Sequence, residues 1–406
     1  MRIDCHVHIA ACTPGHGSMS PRLLNSIPFR FMRWRMGLVG ADECTERALA
    51  RRLEQIIVET TELDAAVVLA FDAVYDLDGR RDEARTHLYV TNEYVRELSR
   101  GSARDGFSPS PDTPGERRGE GSSAAARHEK IHKNPPPNPL PKYREREQDK
   151  PVGNVLFGAS VHPYRCDALD ELERCVRGGA VLMKWLPVSQ GMDPAHPKCI
   201  PFYEALAHHK LPLLCHTGGE LSLPRFDDDL ADPMLLEEAL RRGVTVIMAH
   251  CGTRSSPTNR DYLPQFMRLA RQYEHCYGDT SALNLPSRWY AYERILSDPI
   301  VRGKLVHGSD WPIIAIPPVG RIDVGTCLRL MRDPNWLRRD VRIKQQLGFD
   351  DAYWTRAAKV LGLPTDPGAR GGEAPAEPAL PFSDQTSGSA GASPSQRVTM
   401  RPNPGL

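Results

Sequence analysis

The sequence predicts an α/β fold, a (β/α)8 or TIM barrel in which eight parallel strands alternate with helices. Two observations predict it: eight short apolar runs alternate with amphipathic stretches, and polar residues stand where several of these runs end. Eight strand–helix units close most simply into a barrel. An open doubly wound sheet is the alternative, but it normally carries a glycine-rich phosphate turn after its first strand, where this chain has DCHVH. The apolar runs are 2–9, 65–71, 155–161, 180–186, 211–216, 244–250, 273–282 and 304–310.

The stretches between the runs carry the apolar spacing of helices that cover a sheet. Two of them end in glycine after basic residues, which is typical of a helix C-terminus. The predicted helices include ECTERALARRLEQIIVETTEL, RTHLYVTNEYVRELSR, ALDELERCVRGG and DPMLLEEALRRG.

The composition predicts two segments outside the barrel. The chain has 406 residues with 36 Pro and 32 Gly, and these residues cluster at 101–150 and again from 364 to the end. Aromatic and β-branched residues are scarce there, so neither segment can bury enough surface to offset its ordering entropy. We therefore expect one barrel domain over 1–363, interrupted by a disordered insertion at about 101–150 and followed by a disordered tail, 364–406.

The net charge, the apolar runs and the cysteine spacing indicate which class of protein this is. A formal net charge of +1 gives no electrostatic reason to expect nucleic acid or an anionic membrane as a partner. No apolar run has the length of a membrane span, and MRIDCHVHIA lacks the apolar region of a secretory signal. The ten cysteines contain no C-x-x-C pair. These features predict a cytoplasmic protein with reduced thiols that acts on a small molecule; homo-oligomers remain compatible with them.

Six ionisable side chains stand at the ends of apolar runs, where the carboxyl ends of barrel strands would bring them to one mouth. A single histidine at such a place is more often a structural hydrogen-bonding residue, but several in this order indicate a site. Three or more neutral imidazoles with one carboxylate suit Zn²⁺, and less well Mn²⁺ or Fe²⁺. The six side chains are His6, His8, Lys184, His216, His250 and Asp310.

The order of these motifs resembles a known family. DCHVH, MKWLP, LLCHTGGE, VIMAHCG and VHGSDWP follow one another as in the amidohydrolase superfamily, specifically the amidohydrolase-related branch that includes aminocarboxymuconate semialdehyde decarboxylase. The resemblance runs from residue 1 to about 362. It implies one divalent metal held by four of these residues, with the sixth-strand histidine orienting or deprotonating the attacking water in mononuclear members and binding a second metal in binuclear ones. In the mechanism that we favour, this histidine positions the water and stabilises the oxyanion, and the last-strand aspartate takes the proton of the water. The implied ligands are His6, His8, His216 and Asp310, and the implied catalytic residues are Asp310, His250 and Lys184.

Lys184 has three alternative roles. Binuclear members of the superfamily carry a carbamylated lysine at the corresponding position, where it bridges two metals. As an ammonium, Lys184 would bind a substrate carboxylate or polarise a leaving group. As a structural residue it would pair with a neighbouring acid. Because the related branch is mostly mononuclear, we favour the ammonium.

Nine weaker candidates have structural alternatives. We interpret Asp4 as structural. His162 could line the pocket or make a structural hydrogen bond, and Asp279 could line the mouth or cap a loop. Glu220 could orient a ligand. We expect the two tryptophans to pack around the mouth, and the three arginines could meet a substrate carboxylate. These last five are Trp185, Trp311, Arg225, Arg254 and Arg288.

The sequence thus favours a metal-dependent hydrolase that acts on an amide, ester or lactone. Two alternatives stand beside it. A non-oxidative decarboxylase of an aromatic or muconate-like acid could use the same metal site, and a product assay would distinguish the two reactions. A barrel that serves only as a binding scaffold is the second alternative, but it would be expected to lose at least one ligand.

Overall fold

Eight parallel strands form the central sheet and follow the eight predicted apolar runs. The computed structural model describes residues 1–38, 43–101 and 155–365. The predicted insertion at 101–150 and tail at 364–406 therefore lie almost wholly outside the described residues. The sheet order is β1-β3-β5-β6-β7-β8-β9-β10, while β2 and β4 form a separate antiparallel pair. The strands are β1 Ile3–His8, β2 Gly17–Met19, β3 Ala65–Leu69, β4 Leu88–Val90, β5 Val155–Ala159, β6 Leu182–Trp185, β7 Leu213–His216, β8 Val246–Ala249, β9 Cys276–Asp279 and β10 Leu305–Val306.

Hydrogen bonds between the first and last strands close the sheet. The N–H of Cys5 donates to the carbonyl of His307 over 3.0 Å, and the N–H of Asp310 donates to the carbonyl of His6 over 2.9 Å. An open sheet would leave both edges with unpaired amides. The predicted barrel is therefore confirmed over the open doubly wound alternative.

The two faces of each strand pack against different partners. In β3, Ala65 and Val67 belong to a cluster built mainly from other barrel strands, whereas Val68 packs with a larger cluster that includes Leu53 and Ile56 of the preceding helix. This alternation follows from the two-residue period of a strand. Strands covered on both faces must be apolar throughout, which explains why the sequence shows continuous runs.

The helices cover the sheet from outside. Three of the four predicted stretches form helices, and the second is wrong in its first half. There Leu88–Val90 forms β4, which pairs with Gly17–Met19, and the Thr91 side chain accepts a hydrogen bond from the N–H of Tyr94 to start a helix. The helices are α1 Pro21–Leu24, α2 Ile27–Arg35, α3 Glu43–Glu59, α4 Asn92–Ser99, α5 Ala168–Arg177, α6 Pro187–Gln190, α7 Ile200–His208, α8 Glu237–Arg241, α9 Leu263–Gln272, α10 Ala291–Ser297, α11 Pro299–Arg302, α12 Val324–Met331, α13 Trp336–Gln346 and α14 Asp351–Val360.

Helices α1 and α2 lie between β1 and α3, and the apolar pattern of the sequence predicts neither. Each begins with a serine cap, Ser20 or Ser26, followed by a proline in the first turn. No residue of α2 is fully buried, and Ile27 and Trp34 are exposed. The segment is therefore held by its caps and by one partly buried face.

Among the described residues, no helix is both long enough and apolar enough to cross a membrane.

A buried ion pair anchors the segment that follows β10. The ammonium of Lys344 on α13 lies 2.5 Å from the carboxylate of Asp340 and donates to the carbonyl of Gly308 over 2.7 Å. Asn284 donates to the same carboxylate over 2.7 Å. All of these side chains are buried. Burial raises the pKa of Asp340 to about 6, although Lys344 and Asn284 act in the opposite direction.

We expect Lys344→Met to lower the free energy of unfolding by about 3–5 kcal/mol, because it leaves the Asp340 carboxylate buried without a cation. Urea denaturation would measure the change. Lys359→Met on the exposed face of α14 is the matched control and should change stability little. A loss below about 1 kcal/mol for Lys344→Met would show that this pair does not hold the segment.

Candidate functional site

Three side chains from the two ends of the chain meet at the carboxyl end of the barrel. The Nε2 atoms of His6 and His8 lie 3.0 Å apart. Asp310 Oδ1 lies 3.2 Å from His8 Nε2 and 3.5 Å from His6 Nε2. Among the described residues these three form a group whose ligand atoms all lie within 4.8 Å of one another. The closure of β1 against the segment after β10 thus creates a potential metal site.

Asp310 is held in a strained position. Its φ of 65° lies in the left-handed region, which a non-glycine residue enters at a cost of about 1–3 kcal/mol. Burial acts to raise the pKa of its carboxyl, but the facing imidazoles of His6 and His8 outweigh burial, and the pKa lies below its usual value. Asp310 is therefore an anion that faces two imidazoles.

His6 is a neutral imidazole whose orientation is fixed by hydrogen bonds at Nδ1. Its Nδ1 lies 2.7 Å from Asp279 Oδ2 and 3.0 Å from the Ser281 hydroxyl. Burial, followed by the charge of Lys184, holds its pKa well below the usual value. Nδ1–H therefore donates to the carboxylate, and the Nε2 lone pair points toward His8 and Asp310. A carboxylate behind a histidine is a common support for a metal ligand.

Asp279 lies beneath the site, where it supports His6 and also makes the loop-capping contact that was one of the two interpretations from the sequence. Besides His6, it accepts the N–H of His250 over 2.8 Å and the N–H of Ser281 over 3.0 Å. It is completely buried. Gly308 is required above this contact, because a Cβ there would lie 2.9 Å from the Cβ of His6. Asp279 and Ser281 share one face of the YGDTSAL segment, and this i, i+2 spacing was the signal available in the sequence.

His216 ends β7 with an unused nitrogen. Its Nε2 is buried and has no hydrogen-bond partner among the described residues, while its Nδ1 lies 3.7 Å from Glu220 Oε2. It lies outside the compact group formed by His6, His8 and Asp310. An unpaired buried imidazole nitrogen costs free energy unless something binds it. The orphaned nitrogen and the neighbouring donor set together fit a divalent metal with nitrogen and oxygen ligands.

His250 reaches the site through its backbone rather than through strand alternation. Strand β8 ends at Ala249, and its residues Ile247 and Ala249 pack in the barrel cluster, whereas Met248 packs toward the helices. Strict alternation along β8 would place His250 on the same face as Met248, so alternation alone does not predict its position. His250 has a φ of 58°, which turns it back toward the ring of His216, 4.9 Å away. Burial and, after it, the charge of Arg288 hold its pKa well below the usual value.

Lys184 lies beside the proposed ligand atom of His6. Its Nζ is 3.1 Å from His6 Nε2, and the side chain is buried. Burial lowers the pKa of this ammonium, while the carboxylates of Asp279 and Asp310 oppose the shift. Lys184 is not among the residues that line the neighbouring cavity.

The prediction that Trp185 packs around the mouth is wrong. It is buried between strand and helix against Phe202 and Tyr203, and its Nε1–H donates to the carbonyl of Val161 over 2.8 Å. Trp311, in contrast, does line the cavity next to the site. The two tryptophans therefore differ, and only Trp311 packs at the mouth.

The remaining candidates make structural contacts. Both ring nitrogens of His162 bind backbone groups, the carbonyl of Gln190 at 3.1 Å and the N–H of Tyr164 at 3.2 Å. Asp4 accepts the N–H groups of His6 and Ser309, each over 3.0 Å, so it ties the first strand to the last, as the sequence suggested.

The three candidate arginines are engaged outside the cavity. Arg225 pairs with Asp228 at 2.5 Å, and Arg254 lies 4.9 Å from the ring centroid of Tyr290. Arg288 donates to the Thr253 hydroxyl over 2.9 Å and to the carbonyl of Gly219 over 2.7 Å. None of the three is among the cavity-lining residues.

A comparison with protein families matches residues 3–316 to the family described as Amidohydrolase. The chain belongs to this family. The match covers well over half of the chain and confirms the resemblance drawn from the motifs. No curated protein sequence matches the chain.

Several solved structures are similar to this chain at low identity. A TIM-barrel protein from Bordetella bronchiseptica is 12% identical, with 89% of this chain and 98% of that chain covered and a TM-score of 0.51. A probable 2-pyrone-4,6-dicarboxylic acid hydrolase from Acinetobacter baumannii, with citric acid bound, is 12% identical, with 89% and 99% covered and a TM-score of 0.46. A 2,6-dihydroxybenzoate decarboxylase in complex with 2,6-dihydroxybenzoate is 13% identical, with 89% and 99% covered and a TM-score of 0.47.

We expect the purified protein to hold close to one equivalent of a divalent metal, and His6→Ala/His8→Ala to remove it, because the pair supplies two of the four proposed ligands. Elemental analysis measures the content. The control is His208→Ala/His209→Ala, a histidine pair at the C-terminal end of α7. Full metal content in the His6/His8 variant would refute the ligand assignment.

Proposed function

We propose that this amidohydrolase is a metal-dependent hydrolase that cleaves an amide, ester or lactone of a small molecule with water. The observation that carries the proposal is the convergence of His6, His8 and Asp310 beside the orphaned Nε2 of His216, at one end of a cavity. These four residues would hold one divalent ion, with zinc as the first expectation and manganese or iron as alternatives. When bound, the metal supplies Lewis acidity and makes water a stronger acid.

Asp310 is the proposed proton carrier. Its carboxylate is anionic because His6 and His8 face it, and it is only partly exposed, so it can take a proton from the attacking water and return it to the leaving group. The left-handed backbone and the hydrogen bond from its own N–H to the carbonyl of His6 fix its place. A fixed, ionised carboxylate next to the reacting atoms meets the geometric requirement of a general base.

His250 is proposed to position the water. Its Nδ1 lies 2.9 Å from the carbonyl of Ser281, which can only accept, so Nδ1 carries the proton and Nε2 is an acceptor. The low pKa keeps the ring neutral. A neutral acceptor can orient a water molecule, whereas donation to an oxyanion would need a proton on Nε2. We therefore assign His250 the first role alone.

Lys184 is proposed to act as an ammonium beside Nε2 of His6. It does not line the cavity, so direct contact with a substrate carboxylate is not supported. Its charge lowers the pKa of His6, which helps to keep that imidazole neutral and available as a ligand.

The reaction type has a direct test. Hydrolysis in H₂¹⁸O places the label in the acid product, whereas a decarboxylase releases carbon dioxide from a carboxylic acid without such a label. We expect labelled product from a panel of amides, esters and lactones, and Asp310→Asn as the control should form it far more slowly. Carbon dioxide release from aromatic or muconate-like acids, with no labelled product from the panel, would establish the decarboxylase instead.

The roles of His250 and Asp310 should separate by metal content. We expect His250→Asn to keep the metal and lower kcat by about 10²-fold or more, because water is no longer oriented. Asp310→Asn should lower the rate by about 10²–10⁴-fold and also weaken metal binding, because it removes both a base and a ligand charge. Rates and metal content are measured on the same samples. If His250→Asn loses the metal while turnover per remaining metal is unchanged, His250 is a ligand.

If Lys184 acts through its charge on His6, Lys184→Met should still bind no more than one equivalent of metal but should lose it more readily as the pH falls, because loss of the ammonium lets the pKa of His6 rise. Elemental analysis of the variant across a pH series tests this. Two equivalents in the unaltered protein, with one lost in Lys184→Met and not restored by bicarbonate, would establish a bridging carbamate instead.

A further inference from the structure

A cavity of about 140 Å³ extends from the proposed metal site to the segment formed by α1 and α2. At one end it is lined by His8 and Asp310. At the other end it is lined by Leu23 of α1 and by Phe29 and Met32 of α2. The reacting atoms and an apolar chamber therefore belong to one continuous space.

The size of the chamber limits what it can hold. An apolar cavity of about 150 Å³ in another protein stays free of water and takes up benzene. A chamber of similar volume accommodates one ring or a short alkyl chain. Most of the residues that line it are apolar, so such a group would lose its contact with water at little cost in polar contacts.

The charged residues that line the chamber disfavour an anion. They comprise three carboxylates, Glu46, Glu220 and Asp310, and one guanidinium, Arg33, among the described lining residues. Asp310 is assigned to the metal. Glu46 accepts the N–H groups of Cys12 and Thr13 over 2.6 and 2.9 Å and pairs with His16, so it belongs to the wall. A buried substrate carboxylate next to these groups would be poorly compensated.

The other cations near the site do not reach the chamber. Arg288 donates to Thr253 and Gly219, and Arg225 pairs with Asp228. Nζ of Lys184 lies against Nε2 of His6. None of them is among the lining residues. The expected contact between a cation and a substrate carboxylate therefore has no counterpart in the described wall other than Arg33.

We propose that the substrate is a neutral amide, ester or lactone whose apolar substituent, one ring or a short alkyl chain, occupies the chamber beneath α2. The proposal deepens the hydrolase function and rests on it for the position of the scissile bond. Phe29 and Met32 are then specificity-determining residues, because they form the part of the wall that the barrel does not supply.

Binding of toluene and benzoate tests the chamber without turnover. The two probes share a ring and differ in charge, and their affinities can be measured by saturation-transfer NMR. The measurement is made on the full chain and on His6→Ala/His8→Ala, in which no metal can attract benzoate. We expect toluene to bind both proteins, and benzoate to bind the variant at least about 10-fold more weakly than toluene. Equal affinities in the variant would overturn the proposal.

Two substitutions on one helix locate the bound ring. Met32→Asp places a charge in the chamber and should weaken toluene binding by at least about 10-fold, while Met32→Trp should fill the chamber and exclude the probe. Trp34→Asp places the same charge on the exposed side of α2 and should leave binding unchanged. Equal effects of Met32→Asp and Trp34→Asp, or toluene binding that survives Met32→Trp, would overturn the proposal.

The outcomes distinguish the chamber from the hydrolase function. A protein that binds toluene in this pattern but forms no labelled product would retain the chamber and lose the proposed reaction. A protein that hydrolyses amides or esters but does not bind toluene would retain the reaction, and the chamber proposal would be wrong.

Discussion

Burial of neutral imidazoles is the constraint on which the site depends. His6, His216 and His250 are buried, and burial is the first cause that holds the pKa of each well below its usual value. A protonated imidazole cannot bind a metal, so a ligand set of histidines at neutral pH needs this environment. The same burial requires a partner for every ring nitrogen that faces the protein. Asp279 and Ser281 are those partners for His6 and His250, which explains why polar residues lie so deep in an otherwise apolar barrel.

This arrangement requires local backbone strain and a second layer of buried charge. His250, Ala282 and Asp310 all have positive φ, although none is glycine. Such conformations persist only where the surroundings fix them. Around Asp310 they do: the β1 backbone binds its N–H, and the pair formed by Lys344 and Asp340 holds the carbonyl of Gly308 just before it.

The sequence predicted the barrel because the property that matters, apolar runs of strand length between amphipathic stretches, is local. All eight runs became strands of one sheet. Alternation puts Lys184 and His216 on the same face as Leu182 and Leu214, which pack inside the barrel, and it puts Trp185 on the opposite face. It does not predict the position of His250, because a left-handed residue after the strand reverses the direction of the chain. The support that Asp279 gives to His6 is a contact between side chains of β9 and β1, which are not neighbours in the sheet, and no local pattern contains it. Helix α2 was not predicted, because it buries no residue fully and so lacks a clear apolar stripe.

The hydrogen bonds that join β1 to the segment after β10 also determine when, during synthesis of the chain, the cluster of His6, His8 and Asp310 can form. Residues 6 and 8 leave the ribosome long before residue 310, which follows only after most of the barrel has been synthesised. The carboxylate that completes the cluster, and the carbonyl contact that fixes it, are both absent until then. Contacts between distant parts of a chain form late in folding. A nascent chain therefore exposes two adjacent histidines without their partner, and loading with metal belongs to the finished polypeptide rather than to its synthesis.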